Sequence, residues 1–160
     1  MKKIIILLLF TLGLFPIFSL EITDFSIISK NKKIVITESK EQILNSFEKE
    51  NIKKKELNNS CENYITDDID ITFLGDKVIS IIIQNKKYYL SSKIKIGDKI
   101  SKVNKKFGDP NYKGKSSDSS YFMDYYLRIE TDSPWKEPQY TLRFIYLNNK
   151  ITKIAIFYTE

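Results

Sequence analysis

Asp67-Asp68-x-Asp70 is the densest group of carboxylates in the chain, and carboxylates so spaced could hold a cation or share a proton. A calcium loop needs a fuller oxygen set, with a glycine at its sharp turn and a distal glutamate, and neither follows here. Acid–base work by paired carboxylates needs two environments that separate their pKa values, and the sequence offers no sign of them. The cluster therefore reads as a solvated turn leading into a strand. Histidine is absent, which removes Ser-His-Asp and Cys-His nucleophilic machinery and the usual zinc sites together. Cys61 is the single cysteine, so no intrachain disulfide can form, and it reads as a small half-buried residue at a strand start. No catalytic residue, metal or cofactor is expected.

What remains is the chemistry of binding. Arg128 and Arg143 are the only arginines. Alternation along residues 121–130 puts Tyr121, Met123, Tyr125, Leu127 and Ile129 on one face and Phe122, Asp124, Tyr126, Arg128 and Glu130 on the other. In the next strand Tyr140, Leu142, Phe144 and Tyr146 oppose Thr141, Arg143 and Ile145. Both arginines thus fall on the polar faces of strands expected to be neighbours. Aromatic and arginine side chains on an open sheet are the types that anchor protein interfaces. The plainer reading is a solvent-facing sheet whose arginines pair with Asp124 and Glu130. Trp135 lies between Pro134 and Pro138, which stiffen a loop that presents one large ring or folds it back over a sheet edge. Tyr126, Arg128, Trp135 and Arg143 are the expected binding residues.

The elements that must position them read as follows. Residues 21–29 form a first strand or ordered arm, and residues 33–36 a short β run. Ser39-x-x-Gln42 is a capping box for a helix whose stripe is Ile43, Leu44 and Phe47, fraying near Asn51. Residues 53–60 read as a polar connection, followed by strands near 62–66, 70–74 and 77–84, the last two joined by Gly75-Asp76. Tyr88-Tyr89-Leu90 is a short bridging strand. Asp98 can cap a second helix that buries Ile100, Val103 and Phe107 and stops at Gly108, with Pro110 preventing its resumption. Residues 113–120 read as a serine-rich loop. Strands at 121–130, 139–147 and 151–158 complete the chain, with Asn148-Asn149 as the final turn.

The two halves answer each other. Leu74-Gly75-Asp76-Lys77-Val78-Ile79-Ser80-Ile81 recurs as Leu147-Asn148-Asn149-Lys150-Ile151-Thr152-Lys153-Ile154, and Ile69, Ile71 and Phe73 answer Leu142, Phe144 and Tyr146. Ile34-x-Ile36 with Ile43 and Phe47 answers Ile94-x-Ile96 with Val103 and Phe107. Self-similarity of this kind fixes architecture. The expected fold class is α+β: two tandem helix-plus-antiparallel-meander units, residues 21–92 and 93–160, forming one sheet with both helices packed on one face. The other face stays partly open.

Ile96-Gly97-Asp98-x-Ile100-x-x-Val103-x-x-x-Phe107-Gly108-Asp109-Pro110 resembles the helix start of the SmpA/OmlA (BamE) type of small envelope domain and of the β-lactamase inhibitor protein. In those families the helix leads into a meander ending in strand, turn and K-[IV]-x-x-I. Lys150-Ile151-Thr152-Lys153-Ile154 fits that ending, and Lys77-Val78-Ile79-Ser80-Ile81 fits it more loosely. The inhibitor-type fold is itself a tandem duplication, so it is the better match. The resemblance spans residues 33–158 as a pattern. The first half has Thr37-Glu38 in place of Gly-Asp and lacks the Gly-x-Pro stop. It implies protein binding in the cell envelope and carries no catalytic residue.

Residues 1–20 open with Met1-Lys2-Lys3, run apolar to Phe15, and break at Pro16, the order of a secretory signal. Cleavage is expected after Ser19; the competing reading is an uncleaved anchor, at the short edge of the roughly 17–25 residues that cross a bilayer. About 140 residues then remain, enough for one compact domain or two small joined ones. The net charge of +6 is carried by lysine spread along the chain, so nucleic acid is not an expected partner. The functional expectation is an exported, periplasmic or envelope-associated, non-catalytic module. It would bind an envelope or external protein through the open sheet face, in envelope assembly or as an enzyme inhibitor. The alternative is binding to peptidoglycan or an anionic membrane surface.

Overall fold

Local chemistry decides where this chain turns. The computed structural model describes residues 20–29, 32–47, 52–57, 60–128 and 139–159. A 3-10 turn (Ile22–Phe25) leads into β1 (Ile27–Ser29) and β2 (Lys32–Ile34), then α1 (Lys40–Ser46). Strands β3 (Lys53–Glu56), β4 (Cys61–Ile65), β5 (Ile69–Leu74), β6 (Lys77–Ile83) and β7 (Tyr89–Leu90) follow. The second half holds α2 (Ile100–Phe107) and strands β8 (Tyr112–Lys115), β9 (Tyr121–Arg128), β10 (Gln139–Leu147) and β11 (Lys150–Thr159). The fold is α+β. Eight strands form one sheet in the order β3-β4-β5-β6-β11-β10-β9-β8, and β2-β1-β7 form a small second one. All described pairings are antiparallel.

The turns are where side-chain type demanded them. Gly75 takes φ +60° between β5 and β6, and Asn148 and Asn149 take φ 50° and 62° between β10 and β11, as a two-residue hairpin requires. α1 opens on a complete capping box: Gln42 N–H donates to Ser39 Oγ, and Ser39 N–H to Gln42 Oε1 at 3.0 Å. α2 ends on Gly108 at φ 73°.

One face of the large sheet carries the core. Ile69, Ile71, Phe73, Ile81, Ile83, Leu142, Phe144, Ile154 and Ile156 all lie there, together with Ile43 of α1, Val103 and Phe107 of α2, and Ile27, Ile34 and Leu90 of the small sheet. Phe107 meets Tyr125 and Phe144 with ring centroids 5.4 and 6.0 Å apart, and Lys40 of α1 lies over Tyr64 and Phe73. Both helices therefore pack on this inner face.

Several elements differ from the sequence reading. Residues 53–60 and 113–120, expected as connections, contribute strands β3 and β8, which are the two edges of the sheet. Each has a single neighbour and carries lysines outward, which suits an edge and hides the alternation. Each meander thus has four strands rather than three. Asp98 does not cap α2; its Oδ2 takes the Lys95 N–H at 3.1 Å and Lys102 Nζ at 2.7 Å, and Lys99 stands at the N-cap. α1 stops at Ser46, short of Asn51. Residues 21–29 divide into the 3-10 turn and β1. The expected signal lies, but for Leu20, outside the described residues.

Candidate functional site: the outer face of the sheet

Strand register builds the outer face row by row. The central row crosses all eight strands: Tyr112, Asp124, Arg143, Ala155, Ile82, Asp70, Ile65 and Lys53. Beside it runs Tyr126, Thr141, Phe157, Ser80, Thr72, Asn63 and Lys55. On the other flank lie Gly114, Phe122, Ile145 and Lys153. Ala155 is buried, yet it belongs to this face and not to the core cluster.

Arg143 organises one wing. Its Nε and Nη2 donate to the two carboxylate oxygens of Asp124, each at 2.7 Å, a bidentate pair. Asp124 is only 2% exposed, and that guanidinium is its ion-pair partner. The guanidinium carbon lies 4.2 Å from the Phe122 ring centre and 5.0 Å from that of Phe157. The hydrogen bonds to Asp124, more than any other influence, push the Arg143 pKa above its ordinary value. Gly114 makes the stack possible: a Cβ there would stand 2.4 Å from Phe122, so only glycine lets that ring lie across β8. Among the described residues Nη1 of Arg143 makes no hydrogen bond, and this edge of the fork is available.

The other wing is smaller and more polar. Asp70 occupies the place across β6 that Arg143 occupies across β11. It accepts from Gln84 at 3.0 Å through Oδ2, while Oδ1 is buried without a partner among the described residues. Burial pushes its carboxyl pKa up, against a smaller opposing pull from Lys153. Asn63 Oδ1, on the adjacent row, is likewise buried and unpartnered.

Of the expected binding residues, Tyr126 and Arg143 come together on this face. Tyr126 is 40% exposed, with its backbone N–H held by Asn111 Oδ1 at 2.8 Å. Arg128 closes β9 opposite Gln139, and Trp135 lies outside the described residues. The β10–β11 register sets Ala155 and Phe157 beside Arg143, and only the β6–β11 register adds Ile82 to their row. The carboxylate cluster does not converge. Asp67 is exposed, Asp68 pairs with Lys87 at 3.3 Å, and Asp70 turns to the outer face. A cleft of about 400 Å³ lies elsewhere, beside the start of α1. Three of its polar side chains are committed to the fold: Asp76 takes the Lys40 N–H, Ser39 caps α1, and Lys77 Nζ sits 3.3 Å above Tyr158.

The face as a whole offers an aromatic-flanked guanidinium, an apolar centre and a desolvated acceptor. Among the described residues no helix is long and apolar enough to cross a membrane.

No family model matches the sequence, and no curated protein matches it. Among solved structures the chain is similar to an extracellular protein containing a SCP domain from Bacillus anthracis str. Ames. The two share 10% identity at a TM-score of 0.51, over 81% of this chain and 49% of that one. The chain thus spans about half the length of that protein, and the likeness is one of fold.

Proposed function

We propose that this is an exported, non-catalytic protein-binding module that docks its partner on the outer face of the eight-stranded sheet, in envelope assembly or as an enzyme inhibitor. The observation that carries this is Arg143, clamped by Asp124 between Phe122 and Phe157, with Tyr126 beside it. A guanidinium held rigid before binding loses little entropy on association, and aromatic and arginine anchors dominate interface energies. The basic, apolar and broken start of the chain supports export, as does a fold shared with part of an extracellular protein.

The same proposal includes a tandem construction, residues 21–92 and 93–160, of the kind the inhibitor-type resemblance implies. Matched irregularities favour it. The β5–β6 ladder shifts register between Thr72 and Phe73, and the β10–β11 ladder between Ile145 and Tyr146, which is the corresponding place in the sequence repeat. Ile82 and Ala155 also correspond, and they pair with each other. A pseudo-twofold between β6 and β11 accounts for both facts.

Capture from envelope extract tests the docking surface, comparing the exported wild type with a Tyr126→Ala/Ile145→Ser variant that leaves the Arg143–Asp124 pair intact. One protein held at physiological salt and lost with the variant is the expected result. Equal capture by both contradicts it. Retention only of peptidoglycan or anionic vesicles, released by salt, favours the alternative, to which Lys53, Lys55 and Lys153 on the same face would contribute.

A further inference from the structure

We infer that the outer face is self-complementary and that its occupant is a second copy of this chain, stacked sheet on sheet. The inference rests on the reading of this face as a protein interface and names the partner.

Its basis is the unlike content of the two wings. Turn a second copy by half a revolution about an axis running along the strands, between β6 and β11. Strand β11 of each copy then lies over β6 of the other, and each row lies over the same row. On the central row Ala155 meets Ile82 of the second copy, small against large. On the next row Phe157 meets Ser80, a ring against a small side chain. One strand further out, Arg143 meets Asp70. Every one of these contacts occurs twice, as an isologous interface requires.

Charge selects this orientation over the other face-to-face one. Turning the second copy about the central row instead lays Arg143 on Arg143, Asp70 on Asp70 and Ala155 on Ala155, which repels at two places and leaves a gap at the third. In the chosen orientation the Arg143 guanidinium of each copy, held at Nε and Nη2 by its own Asp124, lies over the Asp70 carboxylate of the other, so opposite charges face each other twice. Sheets pack aligned at about 30°. Arg143 stands one and a half strands, about 7 Å, from the axis. A crossing of that size displaces it by about one residue along the strand, which a long side chain spans. Eight strands give a face about 38 Å wide, and with strands about 17 Å long each copy covers roughly 650 Å². This falls somewhat short of the about 800 Å² per partner of standard interfaces, so a micromolar, reversible dimer is expected.

Sedimentation equilibrium on the chain purified after export, up to about 200 µM, tests it against that micromolar expectation. The wild type should dimerise. Asp70→Lys, which sets Lys against Arg143, and Ser80→Arg, which blocks Phe157, should each weaken association at least about tenfold. Both should remain folded by circular dichroism. Lys102→Glu on α2 should change nothing. A wild type that is monomeric throughout, or a dimer indifferent to both variants, overturns the inference. A monomeric wild type that still captures one protein, lost with Tyr126→Ala/Ile145→Ser, overturns the dimer alone, so its failure is distinguishable from that of the docking reading.

Discussion

The β3–β6 and β8–β11 wings of the sheet are alike on one face and unlike on the other. On the inner face each presents buried aromatic and aliphatic residues to one helix: Phe73 and Ile71 lie on the α1 side, Tyr125 and Phe144 under α2. On the central row of the outer face Asp70 stands where the other wing has Arg143, and Ile65 where it has Asp124. The inner face is constrained by packing, because a sheet this size must cover one side with helices. The outer face is under no such constraint, so its divergence is where specificity can be written.

Core truncation should give the largest effects and should treat the wings equally. Phe107→Ala and Phe47→Ala should each cost about 3–4 kcal/mol in urea unfolding, within about 1 kcal/mol of each other. A much smaller loss at Phe47 would break the likeness of the inner faces. On the outer face the wings should separate. Arg143→Ala leaves Asp124 buried and unpaired and should cost about 2–4 kcal/mol, whereas Asp70→Ala should stay within about 0.5 kcal/mol. The double change Arg143→Met/Asp124→Leu should recover most of the loss.

Gly114→Ala should push Phe122 out of its place and cost about 1 kcal/mol, with a changed near-ultraviolet spectrum. Acid sharpens the contrast further. Lys40, Lys54 and Tyr64 all reach Glu62, and their hydrogen bonds, Lys40 foremost, hold its carboxyl down to about 2. A depressed folded pKa stabilises above the unfolded value and is lost as pH falls. The melting difference between wild type and Glu62→Gln should therefore be full at pH 7 and close between about pH 4.5 and 2.

Asp70 should show the opposite sign and the smallest effect. Its raised pKa makes the wild type lose stability as pH rises from the ordinary aspartate range through the folded value. Asp70→Asn should melt about 1–2 °C higher at pH 7 and no higher at pH 3.

Much of this was readable wherever neighbouring residues settle the matter. Ser39 with Gln42, Gly75-Asp76, Gly108 and Asn148-Asn149 each impose a backbone state locally, and the helix and turn positions follow. Alternation in β9 and β10 assigned Tyr126 and Arg143 to one face. Edge strands escaped because Lys53-Lys54-Lys55 and Lys113-Gly114-Lys115 carry no alternation, having one neighbour and an open flank. Asp98 looks like a cap, but Lys95 and Lys102 compete for its carboxylate. The meeting of Ile82 with Ala155 depends on which strands pair at the centre of the sheet, a long-range fact with no local signature.

The most direct test of the outer face as the interface is a photo-crosslinking residue placed at Ile145, with the same residue at Lys102 on the helix side as control. The account predicts an adduct of one defined protein, this chain or another, from position 145 and none from position 102. Adducts from both positions alike, or none from 145, would contradict it.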